Sequence, residues 1–449
     1  MTILRSRKVV LPDGVRAVDI EIRDGRITAI TDSAHAPHVI SGVIDAGDLV
    51  VLPGLVDSHV HVNEPGRTDW EGFVHATRAA AAGGVTTIVD MPLNSVPATT
   101  TVDALDTKRR AAAGECHVDV AFWGGVVPGN VDHLEPLAAA GVLGFKCFLC
   151  PSGADDFPHV SEVDLHAVMP VLSALGLPLL VHAEWPGALR EPAGPSRSHA
   201  TWLESRPSAA EEQAIDRLVR LAGDHGAWIH VVHLASPAAL GAITAARARG
   251  VAITVETCPH YLTFAAESIR DGATMFKCAP PIRTAEDRDG LWRGLKDGQI
   301  DLVASDHSPS PPALKCVDSG DFVQAWGGIA SLQVSLSTVW TGAQKRGFGV
   351  ECLAEWMAAA PARLAGIDSV KGRIAVGCDA DLVLFDPAAI WTVDSHHLYH
   401  RHALTPYEGM TLTGQVRTTF LRGQIVYDAR VGTGAPRGKL LAGQRARVE

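Results

Sequence analysis

The pentapeptide Asp57-Ser58-His59-Val60-His61 sets two imidazoles at i and i+2. On an extended strand alternate side chains share a face, so both rings can reach one cation. Neutral imidazole is a common ligand of zinc, cobalt and nickel, and a catalytic site of this kind keeps a position open for water. Taken alone, an H-x-H reads equally well as two core or surface histidines. Two further imidazoles, His182 in Val181-His182-Ala183-Glu184 and His233 in Val232-His233-Leu234-Ala235, close apolar runs of their own. Packing explains four such rings poorly, because each neutral ring buried there needs its own hydrogen-bond partner.

Lys146 lies in Gly144-Phe145-Lys146-Cys147-Phe148-Leu149-Cys150, where an ammonium is costly unless paired or chemically altered. Burial favours the neutral amine, which can add carbon dioxide and become an anionic carbamate able to bridge two metals. An ordinary lysine paired with an acid is the other reading of that strand. Asp306, in Ala304-Ser305-Asp306-His307-Ser308, offers a carboxylate that can bind metal and move a proton, or simply cap a helix. Together, four histidines, a carbamate and an aspartate would hold two cations about 3.5 to 4 Å apart with a hydroxide between them. Hydrolysis of a polarised carbonyl is the chemistry that such a centre performs.

Something must bring these residues together. Apolar, β-rich runs recur over 50–62, 85–92, 117–126, 144–150, 178–184, 228–235, 252–261 and 301–308, with Ala-rich helical segments between them. Residues 73–82 are one such helix, stopped by Gly83-Gly84. Eight strand-helix units predict an α/β fold, a (β/α)8 TIM-type barrel, whose chemistry sits at the C-terminal ends of its strands. The candidate residues fall at those ends. An open doubly wound sheet is the alternative, but no G-x-G-x-x-G turn follows the first run. At the termini, Asp24-Gly25 and Arg422-Gly423 each separate alternating strands, so the two ends are expected to form hairpins that share one sheet.

The composition narrows the partners. With 449 residues, 47% hydrophobic and 20% charged, the chain reads as globular, and its net charge of −11 gives no general attraction to nucleic acid or an anionic membrane. No apolar stretch is long enough for a membrane span, the start lacks a signal peptide's apolar core, and eight cysteines are too sparse for a disulfide scaffold. A cytoplasmic setting is the expectation. Three other features read as structural. Cys147-x-x-Cys150 has redox spacing but sits inside a strand, away from any helix dipole. The histidine-rich stretch 395–402 reads as a solvated loop, and His75 and His117 lie away from the proposed mouth.

The ordered set His59-x-His61, Lys146, His182, His233 and Asp306 resembles the cyclic amidohydrolases of the amidohydrolase superfamily: allantoinases, hydantoinases (dihydropyrimidinases) and dihydroorotases. The strings His61-Val62-Asn63-Glu64-Pro65-Gly66-Arg67, Asp90-Met91-Pro92-Leu93-Asn94-Ser95, Lys277-Cys278-Ala279-Pro280-Pro281-Ile282-Arg283 and Ser305-Asp306-His307-Ser308-Pro309 look most like the allantoinase branch. The resemblance implies a barrel over 52–371, flanked by a small β-sandwich domain built from 1–51 and 372–449. It also implies two divalent metals, usually zinc, with cobalt or nickel as substitutes. Lys146 would be an N6-carboxylysine that needs CO2 or bicarbonate and is shared by both metals. His59, His61 and Asp306 would hold one metal, His182 and His233 the other. Asp306 would pass a proton to the departing nitrogen.

Dihydroorotases resemble H-x-H-x-R-x-P-G, with an arginine for a substrate carboxylate; Asn63 stands in that place here and suits an uncharged ligand. Many hydantoinases read Cys-Ser-Pro-Pro where this chain has Cys278-Ala279-Pro280-Pro281. Asn63, Asn94 and Cys278 are the candidate substrate contacts. The expected reaction is hydrolysis of the hydantoin ring amide of allantoin to allantoate, in purine-derived nitrogen recycling, with hydantoin or dihydropyrimidine hydrolysis second. Non-catalytic scaffold relatives are marked by missing ligands, and every ligand position is filled here. A homo-oligomer, tetramer or dimer, is implied by the same resemblance.

Overall fold

The computed structural model describes residues 1–32 and 42–443. Eight parallel strands follow one another around it: Leu55–Val60, Val85–Asp90, Asp119–Phe122, Phe145–Phe148, Leu179–His182, Ile229–Val231, Ile253–Thr257 and Leu302–Val303. They are buried almost throughout, as expected of parallel strands covered by helices, and their sequences are correspondingly apolar. Consecutive strands pair in order, a two-residue strand Gly124–Gly125 continuing the third onto Phe145 and Lys146 of the fourth. Just past the eighth strand, a parallel bridge between His307 and Val60 joins it to the first, and the His61 amide donates to the His307 carbonyl at 2.8 Å. The ring therefore closes as the (β/α)8 barrel that the eight runs predict.

The run 50–62 is two strands and not one. Val50–Pro53 pairs with terminal strands, whereas Leu55–Val60 enters the barrel. The break falls at Gly54, whose amide bonds the Asp381 carbonyl at 2.8 Å and where a Cβ would lie 2.3 Å from Thr86 Oγ1. A side chain there would separate the two sheets. The helix Phe73–Ala82 matches its expected span; it lacks an N-capping side chain of its own, and the Glu64 carboxylate accepts from the Phe73 amide at 2.8 Å instead.

Strands from both chain ends form a single nine-stranded mixed sheet that includes Thr2–Leu11, Gly14–Arg23, Arg26–Asp32, Leu382–Thr392, Thr411–Leu421 and Gln424–Asp428. The two expected hairpin turns are present, with Asp24, Gly25, Arg422 and Gly423 all at positive φ. These turns belong to strands well separated across the sheet, yet they touch: a Cβ on Gly25 would meet the Arg422 side chain at 3.0 Å. The sheet thus curls around its own core of Leu4, Val18, Ile20, Leu382 and Phe420. Farther on, the chain leaves this sheet and lies along the third barrel strand, where the Val120 amide donates to the Lys439 carbonyl and the Leu441 amide to the Val120 carbonyl.

Among the described residues no helix is long and apolar enough to cross a membrane.

Candidate metal centre

Five of the six sequence-predicted ligands line one cavity of about 250 Å³ at the C-terminal mouth of the barrel: His59, His61, His182, His233 and Asp306. All are buried. His59 Nε2 and His61 Nε2 lie 3.2 and 3.5 Å from Asp306 Oδ1, so these groups can share a cation. His182 Nδ1 lies 3.0 Å from His233 Nε2, and the His233 ring is 5.4 Å from that of His59. The sixth, Lys146, is fully buried with no hydrogen-bond partner for its Nζ, which rests 5.0 Å from the Phe148 ring. Phe148 in turn stacks on His182 at 4.5 Å. Burial pushes the Lys146 amine down to about 8, against the opposing pull of Glu256 and Asp306.

The local backbone is bent to make this arrangement. His233 and Asp306 adopt φ of 42° and 44°, and Asn63 and Asn94 both adopt 67°, conformations that cost non-glycine residues about 1 to 3 kcal/mol each. The first strand is irregular between Asp57 and Val60, so His61 stands just beyond its end. Asp57 Oδ1 accepts from the His59 and Ser305 amides at 3.1 and 3.2 Å, tying the first strand to the segment that carries Asp306. Burial raises the Asp57 carboxyl to about 6. For Asp306 burial acts the same way, but the His59 and His61 rings outweigh it and hold that carboxyl at about 2.

Two buried glutamates orient the imidazoles from behind, a role the sequence reading did not assign. Glu256 bonds His59 Nδ1 and, through its other oxygen, His230 Nε2 at 3.0 Å. Glu184 bonds His182 Nε2 at 2.6 Å and takes both arms of Arg206, at 2.9 and 2.6 Å. Both carboxyls lie well below the usual range, since their cationic and imidazole partners outweigh burial. The signals were present: His182-x-Glu184 repeats the i, i+2 spacing of His59-x-His61, and a glutamate within Ile253–Thr257 requires a buried partner.

Of the candidate substrate contacts, Asn94 and Cys278 border the cavity. Asn63 is not among its lining residues; its amide donates to the Pro309 carbonyl at 3.2 Å and so supports the turn after Asp306. Further wall comes from Ser152, Trp202, the cationic side chains Arg206 and Lys277, and the segment 324–328. Cys147 and Cys150 are unpaired, and burial pushes both thiols up to about 12, which leaves neither a reactive thiolate.

The stretch 395–402 departs from expectation. His396 and His397 are exposed, but His400 is buried with its ring 4.8 Å from that of His307, and His402 Nε2 meets the Asp69 carbonyl at 2.8 Å. This is a docking segment, not a free loop: Arg401 Nε donates to the Glu71 carbonyl at 2.7 Å, and burial keeps His400 neutral, at about 3. His75 and His117 lie outside the cavity lining.

The profile of the amidohydrolase family matches residues 50–426. Curated allantoinases align over nearly all of the chain: that of Streptomyces avermitilis is 50% identical, covering 98% of both chains. The Arabidopsis thaliana protein of the same name is 44% identical over 94% of this chain and 87% of its own. Among solved structures, L-hydantoinase (dihydropyrimidinase) from Arthrobacter aurescens superposes with a TM-score of 0.91 at 32% identity, covering 98% of this chain and 99% of that one. A dihydropyrimidinase from Brevibacillus agri gives 0.89 at 28% identity, with 98% of each chain covered.

Proposed function

This chain belongs to the amidohydrolase family, and on that footing we propose that it opens the hydantoin ring of allantoin by hydrolysing a ring amide, giving allantoate. The observation that carries this reading is the gathering of His59, His61, His182, His233 and Asp306 around one cavity, with the unpartnered Lys146 amine beside them. Allantoin is preferred over simpler hydantoins because the allantoinase relatives are 50% and 44% identical, whereas the solved hydantoinase and dihydropyrimidinase share 32% and 28%.

The residues fit a pair of divalent cations. Imidazole nitrogens and one carboxylate face each other at 3.0 to 3.5 Å, a donor set of the kind that zinc takes. His59, His61 and Asp306 would hold one ion and His182 and His233 the other. Lys146 would be shared by the two if its neutral amine attacks CO2, forming an N–C bond and releasing one proton. Two bound cations would supply a water that is nucleophilic at neutral pH and a Lewis acid for the ring carbonyl.

The protein's own part is positional and protolytic. Asp306 takes the proton of the attacking water and delivers it to the departing ring nitrogen. Glu256 and Glu184 keep His59 and His182 turned toward the centre. Asn94 and the peptide groups of Ala279 and Gly327 offer an uncharged ring its hydrogen bonds. Zinc is the assigned metal, with cobalt or nickel able to replace it, and a homo-oligomer, tetramer or dimer, is the assembly this reading carries.

The test is a comparison of kcat/KM for allantoin, hydantoin, dihydrouracil and dihydroorotate, on metal-loaded protein supplied with bicarbonate. Allantoin is expected to lead by at least about tenfold. Hydantoin or dihydrouracil ahead by that margin overturns the substrate assignment, and no ring opening of any kind overturns the enzyme.

A further inference from the structure

Behind the metal centre, hydrogen bonds continue through the sixth and seventh strands to their N-terminal ends. Trp228, immediately before the sixth strand, donates its indole Nε1–H to Thr254 Oγ1 at 3.2 Å. Thr254 Oγ1 lies 2.9 Å from His230 Nδ1, and His230 Nε2 lies 3.0 Å from Glu256 Oε2. The other Glu256 oxygen meets His59 Nδ1 and also accepts from the His233 amide at 3.3 Å. His230, Glu256 and His59 are buried and in direct hydrogen-bond contact.

The direction of these bonds follows from what each group can do. An indole nitrogen only donates, so Thr254 receives from Trp228 on one lone pair. An ionised carboxylate only accepts, so a neutral His230 must place its single ring proton on Nε2, toward Glu256. Its Nδ1 is then an acceptor, and the Thr254 hydroxyl proton satisfies it. At the far end Glu256 accepts again, which puts a His59 proton on Nδ1 and turns Nε2 toward Asp306 and the cavity. Each link fixes the next.

We propose that Trp228, Thr254 and His230 are positioning residues: with Glu256 they form a hydrogen-bond chain of fixed direction that holds His59 in its Nδ1–H tautomer and so presents Nε2 to metal. The assignment rests on the metal-centre reading above, but its first readout does not. In metal-free protein labelled with 15N-histidine, His59 is expected to carry a proton on Nδ1 and His230 a proton on Nε2, each toward Glu256. A bare Nδ1 on His59, or a bare Nε2 on His230, overturns the chain whatever any variant does.

The second readout is zinc affinity by chelator competition. Thr254→Val keeps the shape of the side chain and removes the hydroxyl; it should weaken zinc binding about 10- to 100-fold, with Thr254→Ser restoring it. Unchanged affinity and unchanged His59 tautomer in Thr254→Val overturn the proposal. Should Thr254→Val fail to fold, the wild-type spectra still decide. Should wild-type protein bind no zinc while showing the expected tautomers, the metal reading fails and the chain stands.

Discussion

Lys146 is the residue on which most depends, because a buried amine without a partner has no structural purpose that a methionine would not serve better. Lys146→Ala should lose most zinc, measured by elemental analysis, and most activity, with part of both restored by short carboxylic acids that stand in for the proposed carbamate. Full metal content and turnover in that variant would remove the bridge from the mechanism. Lys315 makes a second, independent prediction. Its buried amino group donates to the carbonyls of Lys277, Trp326 and Gly328 at 3.1, 3.0 and 2.5 Å, and so fastens together two peptide segments that wall the cavity. Lys315→Met removes a donor from the Trp326 and Gly328 carbonyls at about 1 to 3 kcal/mol apiece, while the Lys277 carbonyl keeps the Gly328 amide. KM should rise roughly tenfold with zinc content unchanged, whereas a purely structural role would lower the melting temperature and leave KM alone. Sequence alone exposed Lys146 but not Lys315, because a charge inside an apolar run is conspicuous and one within Pro312-Ala313-Leu314-Lys315-Cys316 reads as ordinary surface.

At the scale of elements, the strand ends were legible because parallel barrel strands are apolar until they reach the mouth, and a change to His, Lys or Asp marks the place. Glu256 is harder to place for the converse reason: it lies inside Ile253–Thr257, one pleat below the rim, where the strand shows that it needs a buried partner but not that the partners are His59 and His230. The division at Gly54 was hidden as well, since both halves of 50–62 are equally apolar and only the neighbouring Thr86 and Asp381 require the break. The irregular first strand is held by Trp123, whose indole donates to the Ser58 carbonyl at 2.8 Å between the two histidines' supports. Trp123→Phe keeps the aromatic packing and deletes that bond. It should cost about 1 to 3 kcal/mol in a urea melt and weaken zinc binding, since the backbone that aims His59 and His61 is then free to relax.

Across the whole molecule, barrel and terminal sheet are joined by a buried ionic cluster. Lys371 Nζ reaches Asp119 of the third barrel strand and Asp381 beside the sheet, both at 2.6 Å, and Arg422 also bonds Asp119, at 2.5 Å. Lys371→Met leaves carboxylates buried without their cation and should destabilise the fold by about 3 to 5 kcal/mol in chemical denaturation. Burial alone would lower the Lys371 ammonium, but Asp381, Asp119 and Asp379 together raise it above its ordinary 10.5. Its contribution is therefore complete below about pH 10.5 and fades as pH climbs toward the higher folded value. The stability gap between wild type and Lys371→Met should stay constant through neutral pH and narrow only in strong alkali; a gap that closes near neutrality contradicts the pairing.

The bond between Val120 and the segment around Leu440 also carries a consequence for biosynthesis. A ribosome releases the third barrel strand hundreds of residues before the stretch that satisfies its amides, so the nascent barrel waits with an unguarded β edge. Yield in a foreign host should accordingly improve with slower translation or added holdase chaperones, and a fusion partner is better attached at the amino end than where it must follow that closing stitch.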